Sequence, residues 1–333
     1  MNVIPFKPSE EAGLSRVGLG AWAFGGVGWG PQDDADSIAA IHRAVEVGIN
    51  WIDTAAVYGD GHAEIVVGDA VARLPESDRP LVFTKGGVKV DRASGTTLRD
   101  LSPASLRAQC EGSLHRLGLE QIDLYQIHWP AEGAEAAWEL LGELRREGKI
   151  RWGGVSNFGV DLLDRCAAIR RVEFVQSPLS LLNRHATSDV LPWAARREAA
   201  ALVYSPLESG LLTGRFSRER IAELDPDDWR GRRPEFVEPQ ITRTLDLVAR
   251  LLPIAAGLGV SLTQLAIAWT LCWPGVAGTI VGARSAAQVD GWVGVTDIRL
   301  GPDLLELIAT ALRDSGAGSG PRRPPGLVAA DRR

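Results

Sequence analysis

The stretch NWIDTAAVYGD (residues 50–60) decides how this 333-residue chain folds. It opens as a short apolar run that stops at an acid, Asp53, and continues as a loop presenting Tyr58 before Gly59 and Gly61. An apolar run without polar alternation reads as a strand covered on both faces. A carboxylate at a strand end and a phenol five residues on are two titratable groups in a connecting loop, where function collects on a rigid scaffold. Taken alone, the pair reads more readily as a helix cap and a packing residue. The rest of the chain has to answer it.

Working outward, the same unit recurs. Upstream, VGLGAW (residues 17–22) is strand-like, a Gly/Trp-rich loop covers 24–31, and residues 34–47 carry helical periodicity that stops at Gly48. Downstream, strands are expected at 51–54, 81–85, 123–128, 150–156, 174–177, 201–205 and 278–281. Helices are expected at 63–73, 103–117, 134–147, 160–170, 189–200, 241–258 and 262–272, with Ser102-Pro103 opening the second of these. A long irregular segment, 208–238, precedes the last two. Strict alternation of buried strand and helix implies parallel pairing, and eight such strands close into an α/β (β/α)8 TIM barrel, here a single domain over 1–313. A Rossmann sheet is disfavoured because GLGAWAFGG (18–26) lacks GxGxxG spacing. The Gly/Pro/Arg-rich residues 314–333 are expected to be a flexible tail, disordered or loosely docked.

A barrel of this kind places reactive groups at the carboxyl ends of several strands. Here those ends are Asp53, Lys85, His128, Ser156-Asn157, Gln176, Tyr204-Ser205 and the run Gly282, Ala283, Arg284, Ser285. Any one of them is explained by strand-end polarity; seven strands delivering such groups to one rim are not.

Composition bounds the partners. Apolar residues make up 45% and charged residues 23%, which permits a large core. A net charge of −6 without a long basic run argues against nucleic acid or an anionic membrane as the main partner. Cys110, Cys166 and Cys272 lack CxxC spacing or flanking His pairs, so no metal site is indicated. With no signal peptide or spanning segment in the sequence, the expectation is a cytoplasmic protein with no membrane association. Its oligomeric state is left open.

The set GxxxIDTAxxYG, FTK, DLYQIHWP, GVSNF, QSPLS, YSPLxxGLLTG and IVGAR, in this order, resembles the aldo-keto reductase superfamily over about residues 17–312. The likeness is to its bacterial branch, related to general stress reductases and potassium-channel β subunits. The resemblance implies an oxidoreductase that binds NADPH on a barrel and reduces carbonyls to alcohols, with NADH a less favoured cofactor. It implies Tyr58 as proton donor with Asp53, Lys85 and His128 as catalytic companions. The chemistry asks for these types: a free phenol has a pKa of about 10, and a nearby ammonium, itself held by a carboxylate, is expected to lower it. His128 would donate a hydrogen bond to the carbonyl oxygen.

On the cofactor side, the resemblance implies that Gly20, Ala21, Trp22 and Asp53 border the nicotinamide. Ser156, Asn157 and Gln176 would bond its carboxamide, and Tyr204 would stack on the ring. Ser205, Pro206, Leu207, Ser209, Gly210, Leu211 and Gly214 would cross the pyrophosphate, the helix opening from Gly282 to Gln288 would favour phosphate, and Arg284 and Ser285 would hold the ribose 2′-phosphate. Two positions depart from the pattern: Trp292 stands where Asn is common, and either stacks on adenine or packs beneath the barrel, and Ala21 stands where Thr is frequent. For the substrate, a small-molecule carbonyl compound, Trp22, Trp29, Tyr58, His128 and Trp129, with Trp229 a further candidate, suggest an aromatic-walled pocket. The segment 215–239 either closes over the site or is a static insertion. Two other classes stay open: a cofactor-binding redox sensor with little turnover, and an unrelated metal-dependent barrel hydrolase, which would need clustered His and acid ligands.

Overall fold

A computed structural model of the chain describes residues 3–6, 9–26, 28–30, 32–91, 95–225 and 228–325, with side chains from residue 13 onward. Those parts of the expected loops at 24–31 and 215–239 that fall on residues 27, 31 and 226–227 lie outside the described residues, as does the end of the tail, 326–333.

Eight parallel strands form a closed barrel: β1 (Val17–Gly20), β2 (Trp51–Asp53), β3 (Leu81–Gly86), β4 (Ile122–Ile127), β5 (Ile150–Ser156), β6 (Phe174–Pro178), β7 (Ala200–Tyr204) and β8 (Val276–Gly282). Each strand pairs with its successor in the chain, and β8 closes on β1. Outside it lie α1 (Asp34–Glu46), α2 (His62–Ala72), α3 (Pro103–Leu117), α4 (Ala134–Arg146), α5 (Val160–Ile169) and α6 (Val190–Arg197). They are joined by α7 (Gln240–Gly257), α8 (Leu262–Leu271), α9 (Ala286–Asp290) and α10 (Pro302–Ser315).

Strand periodicity divides the core into two. Ile52, Val82, Tyr125, Val155, Val175 and Val203 face outward and pack with the helices. Trp51, Phe83, Leu124, Trp152, Phe174, Leu202 and Ile280 face inward and fill the barrel, with Leu14 closing its lower end. The Trp51 and Phe83 rings stack at 5.2 Å, and Phe174 meets Phe83 at 5.9 Å and Trp152 at 5.7 Å. Trp51 fits because the neighbouring strands carry glycine: a Cβ on Gly18 would lie 2.4 Å from the indole and one on Gly278 2.9 Å.

Some local expectations are corrected. Ser102 precedes α3 but makes no side-chain cap; its hydroxyl and its N–H both donate to Asp100, at 2.7 and 3.1 Å, because a carboxylate is the stronger acceptor. Two antiparallel hairpins, Val3–Phe6 with Ser9–Ser15 and Val88–Val90 with Thr97–Arg99, add to the barrel. In the expected tail, α10 runs to Ser315, and the segment after it docks on the loop following β6. There the buried Arg184 side chain donates to the carbonyls of Leu181, Ala317 and Gly320, and Ser319 N–H donates to Leu182 O at 3.0 Å. Among the described residues no single helix is long and apolar enough to cross a membrane; α7 and α8 pass such a test only together and are bent by 90°.

Candidate active site

The polar residues of the rim follow from the same period of two that builds the aromatic layer. Two positions after Trp51 comes Asp53, after Phe83 Lys85, after Leu124 Gln126, after Phe174 Gln176 and after Leu202 Tyr204. Each therefore points into the barrel, one layer above the apolar filling. Lys85 donates to Asp53 Oδ1 at 2.5 Å and to Thr54 O at 2.9 Å, and Gln176 Nε2 donates to Asp53 Oδ2 at 2.9 Å. All three side chains are buried.

Tyr58 stands over this pair. The Lys85 ammonium lies 5.4 Å from the centre of its ring, and the His128 ring meets it edge-on at 5.7 Å. The loop bearing Tyr58 is seated backbone against backbone on the loop after β1: a Cβ on Gly25 would come within 2.6 Å of Gly59 N, and one on Gly59 within 2.6 Å of Gly25 O. Behind it, buried Glu64 of α2 accepts from Thr84 Oγ1 at 2.5 Å and from Arg116 Nε at 2.7 Å.

Burial governs the electrostatics. It raises the Tyr58 phenol above its ordinary value, and the Asp53 carboxylate adds to the rise. This is opposite to the lowering expected of a phenol beside an ammonium. The physical reason is that Lys85 directs its hydrogen bonds at Asp53 and Thr54. Burial lowers the Lys85 ammonium, with Asp53 opposing the shift. His128 is held well below 6.5 by burial, with the Lys85 and Arg99 charges acting in the same direction, so its imidazole is neutral.

Around the mouth, the expected aromatic residues converge. Trp22 lies 5.0 Å from Trp229 and 6.2 Å from Tyr58, and Trp29 meets both Trp22 and Trp229 edge-on at 5.1 Å. Trp129 stacks beside His128 at 6.5 Å. The backbone N–H of Trp229 also donates to Gly28 O at 3.3 Å, so the segment after β7 reaches across to the loop after β1.

The residues expected to hold a nucleotide line the same rim. Tyr204 hydroxyl donates to Asn157 Oδ1 at 2.7 Å, and Asn157 Nδ2 donates to His128 O and Ser156 Oγ, each at 3.0 Å. Gly20 and Ala21 are buried at the end of β1, with Ala21 N–H on Asp53 O at 2.8 Å. In the loop Ser205, Pro206, Leu207, Ser209, Gly210, Leu211 and Gly214, the backbone turns left-handed at Ser205 (φ 58), Glu208 (φ 43), Ser209 (φ 55) and Gly210 (φ 98). Asn157 (φ 65) is left-handed too. Non-glycine residues held there mark functional loops, and alternation of handedness makes concavities suited to anions. Ser180 hydroxyl donates to Glu208 at 2.5 Å, and burial pushes that carboxyl up to about 7.

Arg284 stands at the same rim, after the last strand. Its side chain donates to Gln32 Oε1 at 2.6 Å and Trp29 O at 2.9 Å, and Gln288 accepts from its N–H at 2.9 Å, so it ties β8 to the loop after β1. Ser285 and Gly282 lie beside it. Trp292 is 2% exposed and packs in the core between barrel and helices, which decides between its two readings in favour of packing. Among the described residues no group of three or more His, Cys, Asp or Glu could hold a metal ion.

The family model for the aldo/keto reductase family matches residues 16–313. The chain belongs to the aldo/keto reductase family. It is 36% identical over 304 residues to aldo-keto reductase YhdN of Bacillus subtilis, covering 90% of this chain and 91% of the relative. It is 33% identical over 316 residues to an NADH-specific methylglyoxal reductase of Escherichia coli, covering 90% and 95%. Among solved structures, a glycerol dehydrogenase from Gluconobacter oxydans superposes with a TM-score of 0.85 at 35% identity, covering 96% of this chain and 97% of that one. An aldo/keto reductase from Klebsiella pneumoniae in complex with NADP and acetate gives 0.69 at 26%, covering 98% and 99%. As a family member the chain is an oxidoreductase.

Two groups at this reductase's rim escaped the sequence reading. Gln126 is fully buried two positions before His128, and its amide finds no protein partner. The period of two in YQIHW was enough to find it. Arg99 and its hairpin carried no signal, since Thr97–Arg99 is exposed and short.

Proposed function

We propose that this aldo/keto reductase reduces an aldehyde or ketone to the alcohol, using NADPH in preference to NADH. The observation that carries the reading is the buried Asp53–Lys85 pair, 2.5 Å apart, beneath a tyrosine whose ring His128 also meets. The rim fits a nicotinamide nucleotide: a half-buried Tyr204 offers a flat face beside Asn157, Ser156 and Gln176, and the left-handed turn at 208–210 suits a pyrophosphate. Arg284 and Ser285 would hold a ribose phosphate, and Gly20, Ala21 and Trp22 would border the ring. When bound, the reduced nicotinamide supplies a hydride to the carbonyl carbon.

The chain's own residues then handle the oxygen. His128, neutral, donates a hydrogen bond to the carbonyl oxygen and fixes which face is presented. Tyr58, kept protonated at neutral pH by its burial, gives its proton to that oxygen as negative charge develops there. The Lys85 ammonium stabilises the phenolate left on Tyr58, which regains its proton from solvent, and Asp53, held by Gln176, keeps that ammonium in place. The balance is one hydride and one proton added to the carbonyl, leaving the oxidised cofactor and the alcohol. The free thiols of Cys110, Cys166 and Cys272 fit a reducing compartment, so the cytoplasm is the proposed location.

The test is Tyr58→Phe with both cofactors. Loss of one proton donor should lower aldehyde-dependent NADPH oxidation about 10²–10⁴-fold, while fluorescence titration shows unchanged NADPH affinity and weaker binding of NADH. Equal turnover in the variant would remove Tyr58 as donor; equal affinity for the two nucleotides would remove the assigned role of Arg284.

A further inference from the structure

Three arginines stack on the aromatic walls of the mouth: Arg230 lies 5.4 Å from the Trp29 ring, Arg233 5.4 Å from Trp229 and Arg99 4.9 Å from Trp129. Two of them are neutralised locally. Arg230 is paired with Asp228 at 2.6 Å and Arg233 with Glu235 at 3.2 Å. Arg99 has no carboxylate partner among the described residues; it donates to Pro130 O at 3.1 Å, and the nearby Asp100 is paired with Lys89 at 2.6 Å. Its guanidinium is thus an uncompensated charge, exposed at the end of the Val88–Val90/Thr97–Arg99 hairpin.

Its position relative to the reacting groups is set by a ladder of rings. Tyr58 meets His128 at 5.7 Å, His128 stacks with Trp129 at 6.5 Å, and Arg99 covers Trp129. His128 is held in its neutral form by burial first, with the Lys85 and Arg99 charges acting in the same direction. A guanidinium fork recognises carboxylate and phosphate bidentately.

We propose that Arg99 is a specificity-determining residue that selects carbonyl substrates carrying an anionic group, a carboxylate or a phosphate, at the end away from the carbonyl. This rests on the reduction proposed above for the same site. A substrate's carbonyl meets Tyr58 and His128 while its anion reaches along the Trp129 face to Arg99.

The experiment compares 4-carboxybenzaldehyde with benzaldehyde, and glyceraldehyde 3-phosphate with glyceraldehyde, in the wild type, Arg99→Gln and Arg99→Lys. The wild type should prefer the anionic member of at least one pair. Arg99→Gln should lower kcat/KM for that member about tenfold to a hundredfold through KM, the range of a hydrogen-bonded charge, and leave the neutral member unchanged. Arg99→Lys should restore part of the loss, and added salt should raise KM for the anionic compound alone. Which pair responds distinguishes a carboxylate from a phosphate. No anionic preference in either pair, or equal loss on both members in Arg99→Gln, overturns the proposal. Absence of turnover with all four compounds would instead count against carbonyl reduction itself.

Discussion

At the scale of single residues, burial outweighs charge pairing. Tyr58 is moved upward although a lysine lies beneath it, because desolvation penalises the phenolate and Lys85 is already engaged by Asp53. His128 follows the same rule with the opposite sign, its charged form being the one suppressed. An unfolded chain takes up this proton near 6.5 while the folded one does so only at much lower pH, so acidification through that window favours unfolding. His128→Gln removes the effect. Its melting temperature relative to wild type should therefore improve as pH falls from about 7 toward about 5; a pH-independent difference would show that His128 is not held neutral. The residue types at the rim were legible because acids, lysine and histidine at strand ends are chemically conspicuous. The direction of the Tyr58 shift was not, since it depends on which group Lys85 bonds. Nor was the choice for Trp292, since an indole suits an adenine face and a core equally.

Among the elements, the strands were the easiest to read and the loops the hardest. Eight apolar runs between helices announce parallel strands by their lack of alternation, and boundaries moved by only a few residues, as at β8, which begins at Val276 rather than 278. The C-terminal helix went unassigned although Pro302 opens it and Gly316 follows it, the signals that bounded other helices correctly. The contact between the loops after β1 and β2 was not readable, because it is backbone meeting backbone across residues far apart in sequence. It carries a prediction. Gly25→Ala introduces a methyl 2.6 Å from Gly59 N, where neither partner is a side chain that can turn away. The loops must separate and Tyr58 move with its own. A misplacement of about 1 Å can cost about 10²-fold in rate, so kcat should fall steeply while circular dichroism stays native. Wild-type kcat in this variant would show that the seating of the two loops does not position Tyr58.

For the molecule as a whole, the terminal segment is a structural part rather than an appendage. Residues 316–320 supply carbonyls to buried Arg184, and the loop they hold in place includes Ser180, the partner of Glu208 in the turn assigned to the pyrophosphate. The run of Gly, Pro and Arg looks disordered by composition, because its docking relies on backbone carbonyls that every residue possesses. A chain ending at Ser315 should melt several degrees lower, as each hydrogen bond to a charged group contributes about 1.5–3 kcal/mol. Its NADPH dissociation constant, read by fluorescence, should rise. Unchanged melting and affinity would show that the segment is dispensable.

The barrel is stoppered below by Leu14 and its aromatic neighbours, and Trp229 bridges the loops above. Both proposed reactants would therefore enter from the rim that carries Tyr58. Whichever reactant sits deeper must arrive first and depart last, so the kinetics are expected to be sequential with a compulsory order, and the late-arriving compound, in excess, to trap its predecessor inside.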